Sequence, residues 1–157
     1  MLMEKEIYDE LNSLSDEINQ LYGFVEDTPC INYGPCGVFA YLFYHEWNTC
    51  IPDKVHICFV MMKDMSECYH VCICLPSGEL YDGGIGVHTR KEYHDFVLED
   101  MYEYDHQLLE KWSYGLERTY PRYCPNFDRE RTRKIIHRHI KKIQNIYSVS
   151  FQKDNNV

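Results

Sequence analysis

Three side chains of this sequence have the types needed for a nucleophilic thiol centre, and they occur in the order Cys36, His70, Asp82. A thiolate attacks a carbonyl carbon, an imidazole takes and returns a proton, and a carboxylate fixes the tautomer of the imidazole. The set predicts hydrolysis or acyl transfer on an amide or ester through a covalent thioester. This chemistry implies a peptide, amide or ester substrate, which could be part of a protein, and it requires no cofactor.

Cys36 lies where a loop is predicted to become a helix, directly after Pro35. A helix N-terminus carries partial positive charge and free N–H groups, which favour a thiolate and can donate to an oxyanion. Gly37 would leave room for a substrate carbonyl, and Asn32 and Tyr33 are the candidate oxyanion and substrate-binding side chains of the loop. Taken alone, a structural cysteine after a proline-initiated turn is an equally good interpretation.

His70 begins a predicted strand in which every second residue is polar or a cysteine. Strand alternation places Cys68, His70, Cys72 and Cys74 on one face. An imidazole beside small thiols is better placed as a base at a sheet edge than as core filler, although a satisfied buried histidine is the common alternative. Among the other histidines, His56 on the preceding strand is the most credible substitute.

The position of Asp82 depends on the hairpin loop before it. If residues 76–78 form a three-residue loop with Gly78 in the left-handed conformation, Cys72 lies opposite Asp82. Asp82 then shares a face with His70 at about 5.5–8 Å between backbones, within reach of an imidazole nitrogen. A two-residue loop would turn Asp82 to the opposite face, and the Asp-Gly-Gly sequence also fits a plain turn.

The elements that must position these residues alternate between helical and strand patterns. Apolar residues spaced alternately four and three apart predict an amphipathic first helix that packs on its own domain. The glycine-rich segment 82–86 is predicted to end the sheet. The predicted fold is α+β, with a central helix on a small antiparallel sheet and extra N- and C-terminal helices. In chain order the predicted elements are a helix over 4–22, a helix from 35 or 36 to about 47, strands over 54–62, 69–75 and 79–81, a helical stretch over 90–117, a loop over 120–125, and a helix from about 127 to 147 with Asn126 as candidate N-cap.

The segment from Asn32 to Val87 resembles the core of papain-like and transglutaminase-like thiol enzymes, including compact NlpC/P60-type members. In that superfamily a cysteine opens the central helix, and a histidine and then an Asp or Asn come from successive strands. The resemblance implies one thiol-enzyme domain over 1–157, with its core at about 30–87 and a helical part at about 90–147. Papain-type enzymes also carry a Gln shortly before the cysteine, which this loop lacks. Either Asn32 replaces it, or the Cys36 N–H works with another donor.

Bulk properties narrow the class further. The chain has 157 residues, 45% hydrophobic, with a formal charge of -9, so one globular domain is expected and binding to nucleic-acid phosphates is disfavoured. The N-terminus lacks the pattern of a secretory signal, no stretch is long and apolar enough for a membrane span, and most of the eight cysteines lie in apolar runs. These features predict free thiols in the cytoplasm.

Two alternatives remain open at this point. Cysteines and histidine on the predicted strands, with Cys58 on the preceding one, could bind a metal, although residues 68–74 span about 20 Å and one ion cannot gather them all. Alternatively, an inactive papain-like fold could serve as a protein- or nucleic-acid-interaction module through its basic last helix. That helix could equally be solvated or paired with the acidic stretch from Glu92 to Asp105.

Overall fold

The structure is a computed structural model that describes residues 4–113, 124 and 126–155, the last five by their backbone alone. Residues 114–117 of the predicted helical stretch, and all of the predicted loop 120–125 except Cys124, lie outside the described residues. The helices are α1 (Lys5–Tyr22), α2 (Cys36–Cys50), α3 (His106–Trp112) and α4 (Arg129–Asn155), with single 3-10 turns at Cys30–Asn32 and Arg90–Tyr93. The strands are β1 (Phe24–Val25), β2 (Thr28–Pro29), β3 (His56–Met61), β4 (Cys68–Cys74), β5 (Leu80–Asp82), β6 (Gly86–His88) and β7 (Val97–Met101).

A five-stranded antiparallel sheet in the order β6-β5-β4-β3-β7 forms the centre of the fold, and β1 and β2 make a separate hairpin. One face of the sheet packs against α1 and α2, and α4 packs against these two helices, in a continuous apolar core. The other face carries a smaller buried cluster that includes Cys58, Cys72, Leu80 and Tyr93. The predicted α+β class is confirmed, and each of the predicted helices and strands before residue 82 is found within two or three residues of its predicted bounds. None of the described helices is long and apolar enough to cross a membrane.

The sheet is wider than the predicted three strands. The predicted helix over Val97–Met101 was wrong, because this segment forms the edge strand β7, which pairs with β3. The glycine-rich segment 82–86 was predicted to end the sheet, but a further strand, β6, follows and pairs with β5. Pairing with an open strand edge stabilises both segments, and the local pattern does not reveal such a distant partner. Gly86 permits β6 because its φ is +85° and Asn12 approaches its backbone closely.

A β-bulge in β4 changes the predicted distribution of side chains. Val60 pairs with His70 but the next residue of β3, Met61, pairs with Cys68, so Tyr69 is the extra residue. Cys68 therefore joins the helix-side core, and its predicted common face with His70 was wrong. Cross-strand partners share a face, so His70 lies with Val60 on the far face of the sheet.

The basic helix α4 is paired with acidic residues of the helices beside it, whereas no ion pair among the described side chains joins it to the acidic stretch 92–105 that one of the sequence alternatives named. The buried His139 lies between Glu10 at 2.5 Å and Glu17 at 2.9 Å. Glu46 of α2 binds both Arg133 and His137. The helix begins after Asp128, whose carboxylate accepts the Arg131 N–H, so Asp128 caps it in place of the predicted Asn126.

Candidate active site

The helix α2 begins at Cys36, as the sequence predicts. Its first intrahelical bond runs from the Phe39 N–H to the Pro35 carbonyl at 2.9 Å. The N–H groups of a first helical turn have no acceptor within their own helix, so they are available to an oxyanion. Cys36 is half-buried, whereas the next four residues of the helix are buried. The thiol thus lies at the boundary between core and surface.

The hairpin that delivers Asp82 has the three-residue geometry assumed in the sequence analysis. Gly78 has φ +90°, the Leu75 N–H bonds to the Glu79 carbonyl, and Ile73 pairs with Tyr81. The β4–β5 ladder ends at this pair, so β4 has an open edge at His70. Asp82 lies across that opening, and its Oδ2 is 2.8 Å from His70 Nε2. The structure thus contains the predicted contact between His70 and Asp82.

Four donors surround the Asp82 carboxylate, which is only 2% exposed. His70 binds Oδ2, and Oδ1 accepts from the Gly84 N–H at 2.9 Å, the Ile85 N–H at 2.6 Å and Asn32 Nδ2 at 3.2 Å. Burial alone would raise the pKa of Asp82, but the hydrogen bond and charge of His70, with the charge of His88 and the Ile85 N–H, lower it to about 2. The group is therefore an ionised carboxylate at neutral pH.

His70 lies within reach of two thiols as well as the carboxylate. Because Nε2 binds Asp82, only Nδ1 is left for a sulfur. Burial alone would lower the pKa of His70, but the neighbouring Cys72, Cys36 and Asp82 outweigh it and raise the pKa well above its ordinary value. Cys36 is one of the two thiols whose interaction with the imidazole raises this pKa. Cys36, His70 and Asp82 thus converge at the open edge of β4.

The loop residues predicted to bind an oxyanion take other positions. Asn32 directs its amide N–H to Asp82, so it orients the carboxylate. Gly37 faces Ser113 so closely that a Cβ at residue 37 would collide with the serine side chain, and the space predicted there for a substrate carbonyl is filled. Tyr33 ends the 3-10 turn, with its N–H bonded to the Cys30 carbonyl at 3.0 Å. The free N–H groups of α2 remain the best candidate oxyanion donors.

Two residues that the sequence analysis did not select complete the buried cluster. His88 donates from Nδ1 to the Gly86 carbonyl at 2.8 Å, and its Nε2 lies 2.9 Å from the Tyr93 hydroxyl oxygen. The Tyr93 oxygen is also 3.8 Å from the sulfur of Cys72, and His88 Nε2 is 4.0 Å from Asp82. Parity along β6 would have placed His88 on the face of Asp82, but β6 was not predicted.

Cys72 is a second buried thiol in contact with the same histidine. Burial alone would raise its pKa, but His70 and His88 lower it. Ligand atoms of His70, Cys72 and Asp82 lie within 4.8 Å of one another, which is a candidate set for a metal such as zinc. The carboxylate, however, already accepts four hydrogen bonds, which a metal ion would have to disrupt. The geometry fits a thiol–imidazole–carboxylate centre better than a metal site.

The protein is thus an α+β chain in which a thiol, an imidazole and a carboxylate, in that order along the sequence, lie at the edge of the sheet. Comparison with protein-family models, with curated protein sequences and with solved structures gives no match for this chain.

Proposed function

We propose that this chain is a cysteine-dependent hydrolase or acyltransferase that acts on an amide or ester bond through a thioester on Cys36. The observation that carries the proposal is the buried His70–Asp82 pair, whose Nε2–Oδ2 bond leaves Nδ1 for the thiol at the start of α2. On this proposal the chain is a papain-like or transglutaminase-like thiol enzyme. Its reduced nucleophile and its eight free cysteines suit a reducing compartment such as the cytoplasm.

In the proposed reaction the proton of the Cys36 thiol passes to His70, and the sulfur attacks the carbonyl carbon. The oxygen that becomes negative is bound by free N–H groups of the first turn of α2. His70 then returns the proton to the leaving amine or alcohol, and a thioester remains. Water completes a hydrolysis, whereas an amine or alcohol completes a transfer. Asp82 holds the imidazole so that Nδ1 faces the sulfur throughout.

The helix α2 offers a matched control for Cys36, because Cys50 is also half-buried and ends the same helix. We expect iodoacetamide at neutral pH to alkylate Cys36 at least about tenfold faster than Cys50, since only Cys36 has a neighbouring base and a helix N-terminus. Peptide mapping by mass spectrometry measures both rates in one sample. With p-nitrophenyl acetate, we expect a burst of about one equivalent of p-nitrophenol.

The burst should be lost in Cys36→Ser and kept in Cys50→Ser. Equal alkylation of the two cysteines in the unmodified chain, together with no burst, would contradict the proposal. That result would favour an inactive fold that serves as an interaction module. A burst that survives Cys36→Ser would assign the chemistry to a different thiol.

A further inference from the structure

A second cluster of a thiol, an imidazole and a carboxylate lies on the far face of the sheet, formed by Cys74, His56 and Asp100 on the adjacent strands β4, β3 and β7. Cys74 is the direct cross-strand partner of His56. Asp100 pairs with Cys58, two residues further along β3, and its Oδ1 is 2.8 Å from His56 Nε2. Ligand atoms of the three lie within 4.8 Å of one another. The proposed enzymatic reaction uses none of them.

Arg90 distinguishes this cluster from the one around His70. Its guanidinium binds both Asp100 oxygens, at 2.7 and 3.1 Å, and one of its nitrogens is 3.1 Å from the sulfur of Cys74. Its Nε donates to the Gly78 carbonyl at 3.2 Å, which fixes the side chain over the β4–β5 hairpin. A guanidinium in this position repels a metal cation and stabilises a negative sulfur. The cluster therefore stabilises the anionic form of the Cys74 sulfur.

The charges around the sulfur act in the same direction. Burial alone would raise the pKa of Cys74, but His56 and Arg90 lower it. The neighbouring Cys58 lies on the same face, and there burial and the charge of Asp100 raise the pKa of the thiol. The two cysteines thus have opposite electrostatic surroundings, although both are buried.

Access limits what can react at this sulfur. Cys74 is 4% exposed, whereas the side chains of His56 and Arg90 above it are 22% and 35% exposed. A bulky electrophile or a protein disulfide cannot reach a sulfur covered in this way, so a reagent for Cys74 must be small enough to enter beside these two partly exposed polar side chains. Small peroxides are the reagents of that size that oxidise thiolates.

We propose that Cys74 is a peroxide-reactive thiol, converted to a sulfenic acid by hydrogen peroxide or a small hydroperoxide. The sulfur attacks one peroxide oxygen, an S–O bond forms and the O–O bond breaks. Sulfur is oxidised and the peroxide is reduced. The other oxygen leaves as hydroxide or alkoxide and takes a proton from protonated His56, giving water or an alcohol. Arg90 and His56 donate to the leaving oxygen and to the sulfenic acid that results.

The test is the rate at which Cys74 forms a sulfenic acid after one equivalent of hydrogen peroxide is added to the reduced full chain. At timed intervals catalase removes the peroxide, and the chain is unfolded in urea with an excess of a dimedone probe, so that the probe reaches every sulfur. Mass spectrometry maps the label, and Cys58 is the internal reference. We expect Cys74 to be labelled at least about tenfold faster than Cys58. Running the experiment in Cys36→Ser as well separates this reaction from that of the proposed nucleophile, since labelling of Cys74 should be unchanged there.

Arg90→Gln should slow the labelling of Cys74 by about tenfold, while Lys91→Gln, an exposed neighbour on the same turn, should leave the rate unchanged. Equal labelling of Cys74 and Cys58 in the unmodified chain would overturn the proposal, as would an unchanged rate in Arg90→Gln. If Arg90→Gln opens the sheet, Cys58 is labelled faster too, and the ratio of the two cysteines in the unmodified chain then decides.

Discussion

The two thiol clusters share a Cys, a His and an Asp, but they differ in what surrounds the sulfur. Around Cys36 the neighbouring imidazole is that of His70, whose partner carboxylate accepts four hydrogen bonds, and the thiol lies at the start of a helix at the boundary of the core. Around Cys74 the sulfur is covered, and Arg90 takes most of the hydrogen bonds of the carboxylate. The first arrangement leaves the second imidazole nitrogen to a half-buried thiol. The second places a buried sulfur beside a guanidinium.

This difference teaches that residue types do not determine the chemistry of a thiol. A carboxylate that holds an imidazole supports proton transfer, because the imidazole must gain and lose a proton in each cycle. A guanidinium cannot lose its proton, so it stabilises a charge without transferring one. The following changes test this contrast.

The largest effect is expected from the histidines. His70→Asn should reduce the burst rate with p-nitrophenyl acetate by about 10²- to 10⁴-fold, because it removes the proposed general base. His56→Asn, the corresponding change in the other cluster, should leave that rate within about twofold, since it is not near Cys36. Stopped-flow absorbance measures both. Similar losses in the two variants would remove the distinction between the clusters.

Replacing the carboxylate should cost stability as well as activity. Asp82→Asn leaves a buried imidazole without its counter-charge, and we expect the free energy of unfolding to fall by about 3–5 kcal/mol. Asp100→Asn should cost less, because its side chain and that of His56 are partly exposed. Urea unfolding followed by circular dichroism measures both losses. A larger loss in Asp100→Asn would show that the second cluster is the main structural one.

The same carboxylate predicts a pH dependence. Its pKa is lowered from about 3.8 to about 2 in the fold, so Asp82 contributes stability above pH 4 that is lost as the pH falls towards 2. The loss is roughly 2 kcal/mol. The raised pKa of His70 acts in the opposite sense, because its contribution is complete below its ordinary value of 6.5 and is lost as the pH rises through the folded value. Asp82→Asn should remove most of the decrease in stability between pH 4 and pH 2.

The smallest effect is expected at Tyr93. The turn Arg90–Tyr93 supplies a residue to each cluster, Arg90 to the sulfur of Cys74 and Tyr93 to His88 and Cys72. Tyr93→Phe removes only the hydroxyl, and we expect a loss of about 1 kcal/mol in the free energy of unfolding. The dimedone labelling of Cys74 should not change. Altered labelling in Tyr93→Phe would mean that the two clusters are coupled through this turn.

Much of the first cluster could be predicted because its residues follow local rules. Pro35 before Cys36 marks a helix start, and Gly78 in a three-residue loop fixes the register that brings Asp82 beside His70. Period and turn geometry are properties of neighbouring residues, so one sequence is enough to predict them. His88 lies in a three-residue strand and Tyr93 in a single 3-10 turn. Neither residue could be predicted, because elements this short have no periodic pattern.

The sequence by itself determined the first two helices, the start of the last one, the first three strands of the sheet and the order of thiol, imidazole and carboxylate, because these follow from patterns among residues close along the chain. Only the tertiary structure decided which thiol meets which imidazole. The bulge at Tyr69 moved Cys68 to the other face of the sheet, and β7 brought Asp100 to His56. A segment can pair with any of several strand edges that are distant in sequence. The pairing that forms is the one that buries most surface and satisfies most hydrogen bonds in the complete fold.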